Sequence, residues 1–444
     1  MLQTIINAFK VKEIRHKVYM MLLLLLIFRI GCFIPVPGLD RSTFSTVVEG
    51  NDFLTLMSSI TGGALAQGTL FALGIGPYIN ASIIMQLLSV GIPALERLSK
   101  QGEEGRKKIA QYTRYVTIAL AIIQSIGIII GFGNQQSAIQ TWLFGQEFFG
   151  STAALVIAGA FMAIVYTAGA LIVMWIGERI TDYGVGNGQS MIIFVGILAT
   201  AGNAIVSKFQ LVFNGDTKSI WELVAFVLVS AVIFFAIVYV DLSERKVPVQ
   251  YAKQIKGRKM YGGQSSAIPI RISGGGVMPL IFAFSILSFP QMIASMVDPN
   301  AEGWFTKFWN GWMSASAEFP QVIVYTLVLC LLIFAFSFFY AQMQFNPEDV
   351  SKSIQQNGGF IQGIRPGKAT EAYLKKISNR ITLFGAIYLS LIAFIPSVAF
   401  SWAALDLVNV FSTTGILIVV SCAMEFEKQL QAQMMMKNYK GFLK

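Results

Sequence analysis

Side chains that could catalyse a reaction or hold a metal ion are few and scattered in this sequence. His16 is the single histidine of 444 residues, and Cys32, Cys330 and Cys422 lie in or beside apolar runs without a pairing pattern. Isolated residues of this kind are typical of buried small hydrophobes, since zinc and haem sites need several ligands together. No P-loop and no GxSxG nucleophile motif occurs, so we expect no enzyme, no metal and no cofactor.

The polar side chains inside the apolar runs are amides and hydroxyls. Gln124, Asn203 and Ser285 are examples, and no Asp, Glu, Lys or His lies near the middle of such a run. Proton- and ion-coupled carriers usually place ionisable residues near the bilayer midplane. The pattern therefore counts against a small-molecule secondary transporter, which remains the alternative function.

The elements that carry these residues are membrane spans. The chain is 55% hydrophobic and 13% charged, whereas a soluble domain is about a quarter charged. Apolar runs of about 17 to 25 residues, the length that crosses a bilayer, predict an all-α polytopic membrane protein with ten transmembrane helices. The predicted spans are 18–36, 69–90, 114–133, 152–176, 187–206, 220–241, 276–297, 320–342, 379–397 and 404–424.

The apolar stretch before and within the second span is interrupted in an unusual way. Residues 69–88 are long enough to cross a membrane, while residues 53–65 are not. Irregular backbone around Gly62 and Gly63 is tolerated at membrane depth only where it is buried in protein or faces water. The sequence therefore predicts a half-length segment that enters a cavity before the chain crosses.

The second span itself allows two interpretations. Ile75, Ile79 and Ile83 recur on one face, and small and polar residues such as Gly76 and Gln86 lie among them. Small residues commonly let membrane helices pack closely, so this helix could be a packing element alone. The other interpretation is a pore-lining helix behind a short plug.

Lys and Arg are strongly biased to one side of the predicted spans. An even number of spans puts both termini on one side, and that side holds 28 of the 33 basic residues. By the positive-inside rule, both termini are cytoplasmic. The net charge of +10 therefore needs no nucleic-acid partner, although a cluster such as Arg106, Lys107 and Lys108 could also meet anionic lipid or ribosomal RNA.

Two long loops on this side predict structure outside the membrane. In residues 242–271, apolar residues alternate at Val247 and Val249 and return at Ile268 and Ile270, which predicts a projecting hairpin. The third long loop on this side, residues 93–114, is typical of a solvated connector.

The other structured loop is residues 342–380. Asn346 is placed to cap a short helix that begins at Pro347 and ends near Gly358. Arg365, between an isoleucine and a proline, is either a solvated loop charge or a rigidly presented guanidinium that docks a partner.

Several segments together, in order along nearly the whole chain, resemble the SecY family of protein-translocase channel subunits, in its bacterial form. No single motif is specific, but the ordered set is. The matching segments are 29–38 (RIGCFIPVPG), 74–88 (GIGPYINASIIMQLL), 105–115 (GRKKIAQYTRY), 186–193 (GNGQSMII), 244–251 (ERKVPVQY), 268–279 and 363–367 (GIRPG).

The resemblance implies two five-helix halves in pseudo-symmetry around a central pore. The halves would be residues 1–206 and 207–424, followed by a cytoplasmic tail, 425–444. Gln189 stands where many relatives have an apolar residue, so five ring positions are assigned. The resemblance places a ring of apolar side chains in the pore at Ile75, Ile79, Ile193, Ile281 and Ile418.

The resemblance also implies a plug at about residues 54–65 and a lateral gate between the second and third spans and the seventh and eighth. Gln124 and Ser285 are the gate residues we expect. The named plug residues are Leu54, Met57, Ser58, Ile60, Gly62, Gly63 and Leu65, and those expected to dock SecA or the ribosome are Arg258, Lys259, Arg365, Pro366 and Gly367.

The implied function is a passive channel in the plasma membrane. It would pass unfolded secretory polypeptides across the bilayer and release membrane segments sideways. Since the chain has no nucleotide motif, the SecA ATPase or the ribosome with its RNA would drive it. Further implied partners are SecE, SecG, signal peptides, nascent chains and anionic lipids. A third class of function, a purely structural membrane scaffold, is not favoured, because a scaffold would not need the half-length segment before the second span.

Overall fold

The computed structural model is dominated by long helices. It describes residues 6, 8–37, 45, 48, 54, 57–58, 60–133, 152–213, 217–251, 254–256, 259–261, 265–272, 276, 278–297, 303–313, 320–402 and 413–441. The helices of the first part of the chain are α1 (Lys12–Gly31), α2 (Gly76–Gly91), α3 (Pro93–Ser99), α4 (Glu103–Gly133), α5 (Thr152–Tyr183), α6 (Gly188–Phe213) and α7 (Thr217–Asp241).

A small sheet separates these helices from the rest. Its strands and those of a short hairpin are β1 (Glu244–Tyr251), β2 (Gln254–Lys256), β3 (Lys259–Tyr261), β4 (Ser265–Arg271) and, later in the chain, β5 (Gly359–Phe360). The remaining helices are α8 (Met278–Val297), α9 (Trp304–Trp312), α10 (Val322–Gln344), α11 (Pro347–Gln356), α12 (Lys368–Trp402) and α13 (Thr413–Gly441).

A described helix overlaps each of the ten predicted spans. By length and composition alone, five described helices can cross a membrane, and the bent pair α2 and α3, which meet at 104°, is a sixth candidate. The predicted class of helical membrane protein is confirmed, while the count of ten spans stays a prediction. The division into halves after residue 206 also stays a prediction, and α6 continues to Phe213.

The stretch before α2 is irregular for longer than predicted. The second span was expected to begin at residue 69, but α2 begins at Gly76, and residues 61–75 form a series of turns. The helix begins later than the apolar run because Gly68 and Gly74 adopt φ values of 57° and 53°, a left-handed conformation that interrupts a helix. Pro77 then lies in the first turn of α2, where proline is tolerated.

Glycines let this irregular segment pack directly on neighbouring helices. A Cβ atom at Gly196 of α6 would lie 2.2 Å from the carbonyl oxygen of Ile60, and one at Gly169 of α5 would lie 1.9 Å from that of Leu70. Real side chains cannot come so close, so a larger residue at either position would displace the segment. The Leu70 amide also donates to the Ile34 carbonyl oxygen at 2.9 Å, which ties the segment to the end of the first span.

The two structured loops form one sheet outside the helices. The predicted hairpin is confirmed: β1 pairs with β4 in antiparallel register, with Val247 opposite Ile268. Val247 and Val249 are buried, as the alternation predicts. Unexpectedly, β5 from the second loop adds to the other edge of β1, with Tyr251 opposite Gly359.

The second loop begins as predicted. Asn346 caps α11 by accepting a hydrogen bond from the Glu348 amide at 3.2 Å. Gly358, with a φ of 67°, follows the end of the helix. The sheet packs on α11 and α12 through buried residues such as Ile354 and Leu374, so the two loops share one small core.

Candidate functional site

The five isoleucines assigned to the pore ring come from four helices and one turn. Ile75 immediately precedes α2, Ile79 lies in its first turn, and Ile193, Ile281 and Ile418 lie on α6, α8 and α13. Ile79 is half-buried, and the other four are at most 5% exposed. All five belong to, or pack against, one hydrophobic cluster. The fold therefore brings together side chains that lie up to 343 positions apart.

Three of these isoleucines stand between two cavities. Ile79, Ile193 and Ile281 line a larger cavity of about 490 Å³ and also a smaller one of about 60 Å³. The three isoleucines therefore form a wall that the two cavities share. A narrow, dewetted constriction of branched apolar side chains resists the passage of ions.

The larger cavity has a polar and charged wall on the side of the sheet. Asp241, Arg271, Glu425 and Lys428 lie around it, and Gln189, the residue that departs from the ring pattern, also lines it. The Lys428 ammonium donates to an Asp241 carboxylate oxygen at 2.5 Å, and both side chains are largely shielded from solvent. This pair ties α13 to the end of α7.

The surroundings of Glu425, in this wall, perturb the titration of its carboxyl. Burial raises the pKa of its carboxyl, and the neighbouring Asp241 raises it further, while Lys428 acts in the opposite direction. Burial favours the neutral form of a carboxylic acid, as does a second negative charge nearby. Sequence reasoning missed this cluster because Asp241 and Glu425 lie at the ends of predicted spans, where charges are common.

The smaller cavity gathers the predicted plug and gate residues. Leu54, Met57, Ile60 and Leu65 line it from the plug. Gln124 of α4, Ser285 of α8 and Ile418 complete the wall. Residues predicted from three separate stretches thus meet at one apolar space directly beside the three shared isoleucines.

Hydrogen bonds from two parts of the chain hold the predicted plug. The Ser58 hydroxyl accepts a hydrogen bond from the Ala66 amide at 3.2 Å. Gly62 and Gly63 adopt φ values of 74° and 85°, which only glycine adopts readily. An Arg29 guanidinium nitrogen of α1 donates to the Gly62 carbonyl oxygen at 3.3 Å. Arg29, the basic residue inside the first predicted span, had no role assigned from sequence.

Two helices of the predicted gate, α2 and α10, are joined by a hydrogen bond that the sequence does not predict. The Tyr340 hydroxyl of α10 donates to the Gln86 amide oxygen of α2 at 2.5 Å. The Gln86 amide nitrogen in turn donates to the Ser82 hydroxyl at 3.0 Å, and the Tyr340 ring lies edge-on to Phe282 of α8, with centroids 5.0 Å apart. Gln86 was noted as a polar residue of the second span, but its partner lies 254 positions away.

Of the predicted docking residues, the structure describes those in the second loop. Arg365 and Pro366 are exposed at a turn that begins with Gly363 and ends with Gly367. The Thr370 hydroxyl donates to the Arg365 carbonyl oxygen at 2.9 Å. Side-chain hydrogen bonds therefore hold the backbone that presents the guanidinium.

The turn of the second loop is also fixed from α11, because the Ser351 hydroxyl donates to the Gly367 carbonyl oxygen at 2.9 Å. The corresponding part of the first loop is described only in part. Arg258, however, lies outside the described residues, and of Lys259 only the backbone, in β3, is described.

Comparison with known proteins gives the same family from end to end. A sequence model of the SecY family matches residues 69–427. "Protein translocase subunit SecY" of Streptomyces coelicolor is 40% identical over 456 residues, with 100% of both chains covered. The protein of the same name from Halalkalibacterium halodurans is 38% identical over 455 residues, again with 100% of both chains covered.

Solved structures with this fold include two channels. One is described as "The structure of a protein conducting channel", with a TM-score of 0.67, 20% identity, and 95% of this chain and 93% of that chain covered. The other is "Sec61 in the Canine ribosome-channel complex from the endoplasmic reticulum", with a TM-score of 0.65, 20% identity and the same coverage. Their identities are too low to show more than a shared fold. The matches to the family model and to the bacterial relatives go further, and by them the chain belongs to the SecY family.

Proposed function

We propose that this protein is a channel that conducts unfolded secretory polypeptides across the plasma membrane. The observation that carries the proposal is the position of Ile79, Ile193 and Ile281 between two cavities. A carrier for a small molecule needs a binding site with matching polar groups, whereas a polypeptide of variable sequence needs a deformable apolar seal. Branched aliphatic side chains close on one another and move aside for a passing chain.

The plug belongs on the outer side of this seal. The bias of Lys and Arg places both termini and the sheet in the cytoplasm, so the larger, polar cavity opens inward and the smaller cavity opens outward. Leu54, Met57 and Leu65 then fill the outer side of the ring in the resting channel. Arg29 secures this position through the Gly62 carbonyl oxygen.

The lateral gate lies where α2 and α4 meet α8 and α10. Gln124 and Ser285 line the smaller cavity at this seam, and the hydrogen bond between Gln86 and Tyr340 crosses it on the opposite side of the ring. A signal peptide or a membrane segment of the client passes through this seam into the lipid. Polar side chains at the seam weaken the apolar contact between its two walls. They therefore favour opening when a hydrophobic helix of the client takes the place of that contact.

The driving force comes from partners on the cytoplasmic side. Arg365, Pro366 and Gly367 form a turn outside the sheet, and two hydrogen bonds from side chains fix its backbone. The exposed guanidinium of this turn suits docking on an acidic or phosphate-rich surface. Arg258 and Lys259 in the neighbouring hairpin have the same chemistry. The SecA ATPase and the ribosome with its RNA are the proposed motors, and one fold neighbour is described in a ribosome-channel complex.

Further proposed partners surround the channel in the membrane. SecE and SecG are the companion subunits implied by the family, and signal peptides and nascent chains are the clients. Anionic lipids fit the basic cytoplasmic segments, of which Arg106, Lys107 and Lys108 form one cluster.

Photo-crosslinking to a translocating chain tests the proposal. A photoreactive amino acid at position 281 is expected to crosslink to a radiolabelled precursor that is stalled midway across proteoliposomes. The same probe at position 164, an exposed position on α5, is the control and is expected to give no crosslink. Equal crosslinking at both positions, or none at position 281 while precursor is protected from protease, would contradict a path through the ring.

A further inference from the structure

The short helix α9 presents four of its five aromatic side chains outward and a polar side chain inward. Trp304 is 79% exposed, whereas Thr306 is 3% exposed. Phe308 and Trp312 follow Trp304 at intervals of four residues, and Phe305 lies beside them, so the four aromatics share an arc of about 100° on the helix. A helix that packs on a soluble protein turns its apolar face inward. The arrangement in α9 is the reverse.

Aromatic contacts hold this face together and support it from below. Trp304 lies edge-on to Phe305, with centroids 6.0 Å apart, and the half-buried ring of Trp309 stacks on Phe305 at 5.8 Å. Lys307 is exposed next to them. Large aromatic rings with a lysine at their margin are the composition that membrane-water interfaces select, because the ring lies at headgroup level and the ammonium reaches water or phosphate.

The place of α9 in the chain puts it at one surface of the membrane. It lies between α8 and α10 in the chain and packs on α8. Because β4 ends only a few residues before α8 begins, the first end of α8 is close to the sheet. The helix α9 follows the other end of α8, which is remote from the sheet. The 20 residues of α8 cover about 30 Å at 1.5 Å per residue, which is the thickness of the hydrocarbon layer. The adjoining helices also carry exposed apolar residues, such as Ile293 of α8 and Leu327 of α10.

We propose that α9 is an interfacial anchor, whose face of Trp304, Phe305, Phe308 and Trp312 is immersed in the lipid headgroup layer on the side of the membrane opposite the sheet. The partner is the lipid surface itself. The anchor fixes the outer end of α8 at the depth of the headgroups. Because α8 carries Ile281 and Ser285 and adjoins α2, the depth of this helix is coupled to the lipid through α9.

Depth-dependent fluorescence quenching tests the anchor. The full chain, with its three cysteines replaced by alanine and with Trp304→Cys labelled by an environment-sensitive fluorophore, is placed in nanodiscs that hold one channel complex each. A nitroxide on the lipid headgroup is expected to quench this label several-fold more than iodide in the water does. Arg365→Cys, labelled in the same way in the exposed cytoplasmic turn, is the control and is expected to show the opposite order.

Two further results decide the outcome. Phe308→Cys, on the same face, is expected to be quenched by the headgroup nitroxide as strongly as Trp304→Cys. If both labels are quenched by iodide as strongly as the label at position 365, the face lies in water and the anchor is refuted. If both are protected from iodide but unaffected by the lipid nitroxide, a protein covers the face, which also refutes it. These readouts do not require translocation, so their failure is distinct from a failure of the channel function.

Discussion

The hydrogen bond between Tyr340 and Gln86 gives a sharp test of the gate, because it joins one helix from each wall of the seam. Tyr340→Phe removes the hydroxyl and keeps the ring, which continues to pack edge-on against Phe282. One hydrogen bond contributes a net free energy of about 0.5–1.5 kcal/mol to stability. The polar group that loses its partner costs more than this only where water cannot take the partner's place. Gln86 is half-buried and lines the larger cavity, so water can reach its amide. We therefore expect a loss of about 1 kcal/mol from the closed gate.

That loss corresponds to about a fivefold shift of the equilibrium towards the open gate, since 1.4 kcal/mol is a factor of ten. The assay is a pulsed electron paramagnetic resonance measurement of the distance distribution between spin labels on α2 and α10, with the protein in nanodiscs. The fraction at the longer distance is expected to rise about fivefold where it starts low. Gln86→Met is expected to produce a similar shift, and the double variant to add little to either, because all three lose the same hydrogen bond across the seam. The further hydrogen bond that Gln86→Met removes, to Ser82, lies within α2.

The matched control is Tyr388→Phe. Tyr388 lies on α12, and its hydroxyl is buried without a hydrogen-bond partner in the described part of the chain. Its removal is expected to leave the distance distribution unchanged. An unchanged open fraction in Tyr340→Phe, or an equal shift in Tyr388→Phe, would show that this hydrogen bond does not hold the proposed gate closed.

Three further predictions concern docking, the plug and the charged wall. Arg365→Glu is expected to reduce SecA-dependent translocation into proteoliposomes at least tenfold, whereas Lys368→Glu, an equal charge reversal at a nearby exposed position, is expected to have a small effect; equal losses would remove the specific role of the turn. Deletion of residues 54–65 is expected to raise the ion conductance of the resting channel in planar bilayers, and unchanged conductance would count against the plug. Glu425→Gln is expected to raise the thermal unfolding temperature at pH 7, because the folded state raises the pKa of Glu425 and so disfavours its charged form. This gain is expected to disappear as the pH falls and the wild-type carboxyl becomes neutral; a gain that grows at low pH would have the wrong sign.

Local signals in the sequence were enough for several elements. Asn346 followed by Pro347 predicts the start of α11, and the structure confirms the cap. The alternation at Val247 and Val249 predicts β1 and its partner β4, because one face of a sheet is buried at every second residue. Apolar runs likewise predict the class of the fold, since only helices or closed barrels satisfy the backbone in lipid.

Other features depend on contacts between distant parts of the chain. The addition of β5 to β1 joins residues 251 and 359, and no local pattern marks a two-residue strand. The helix α2 begins later than its apolar run because Gly74 can adopt a positive φ, and the sequence does not say whether a glycine uses that freedom. The pair Gln86 and Tyr340 was invisible for the same reason, since each residue alone is an ordinary polar group in a span.

The predicted ring residues combine a local sequence pattern with contacts between distant parts of the chain. Ile75, Ile79 and Ile83 recur every four residues in the sequence, and this periodicity alone does not distinguish a pore-lining residue from a packing residue. All three are core residues or pack on the core. Only the shape of the two cavities distinguishes Ile79, which lines both of them, from Ile83, which is buried among its neighbours.

Single-channel conductance in planar bilayers tests whether Ile79, Ile193 and Ile281 form the proposed seal. The double variant Ile79→Gly, Ile281→Gly is expected to show ion current in the resting state, because it removes two of the three side chains between the cavities. Ile83→Gly, at a buried position on the same helix away from both cavities, is the control and is expected to lower stability without adding current. Folded double-variant protein with no more current than the wild type would contradict the claim.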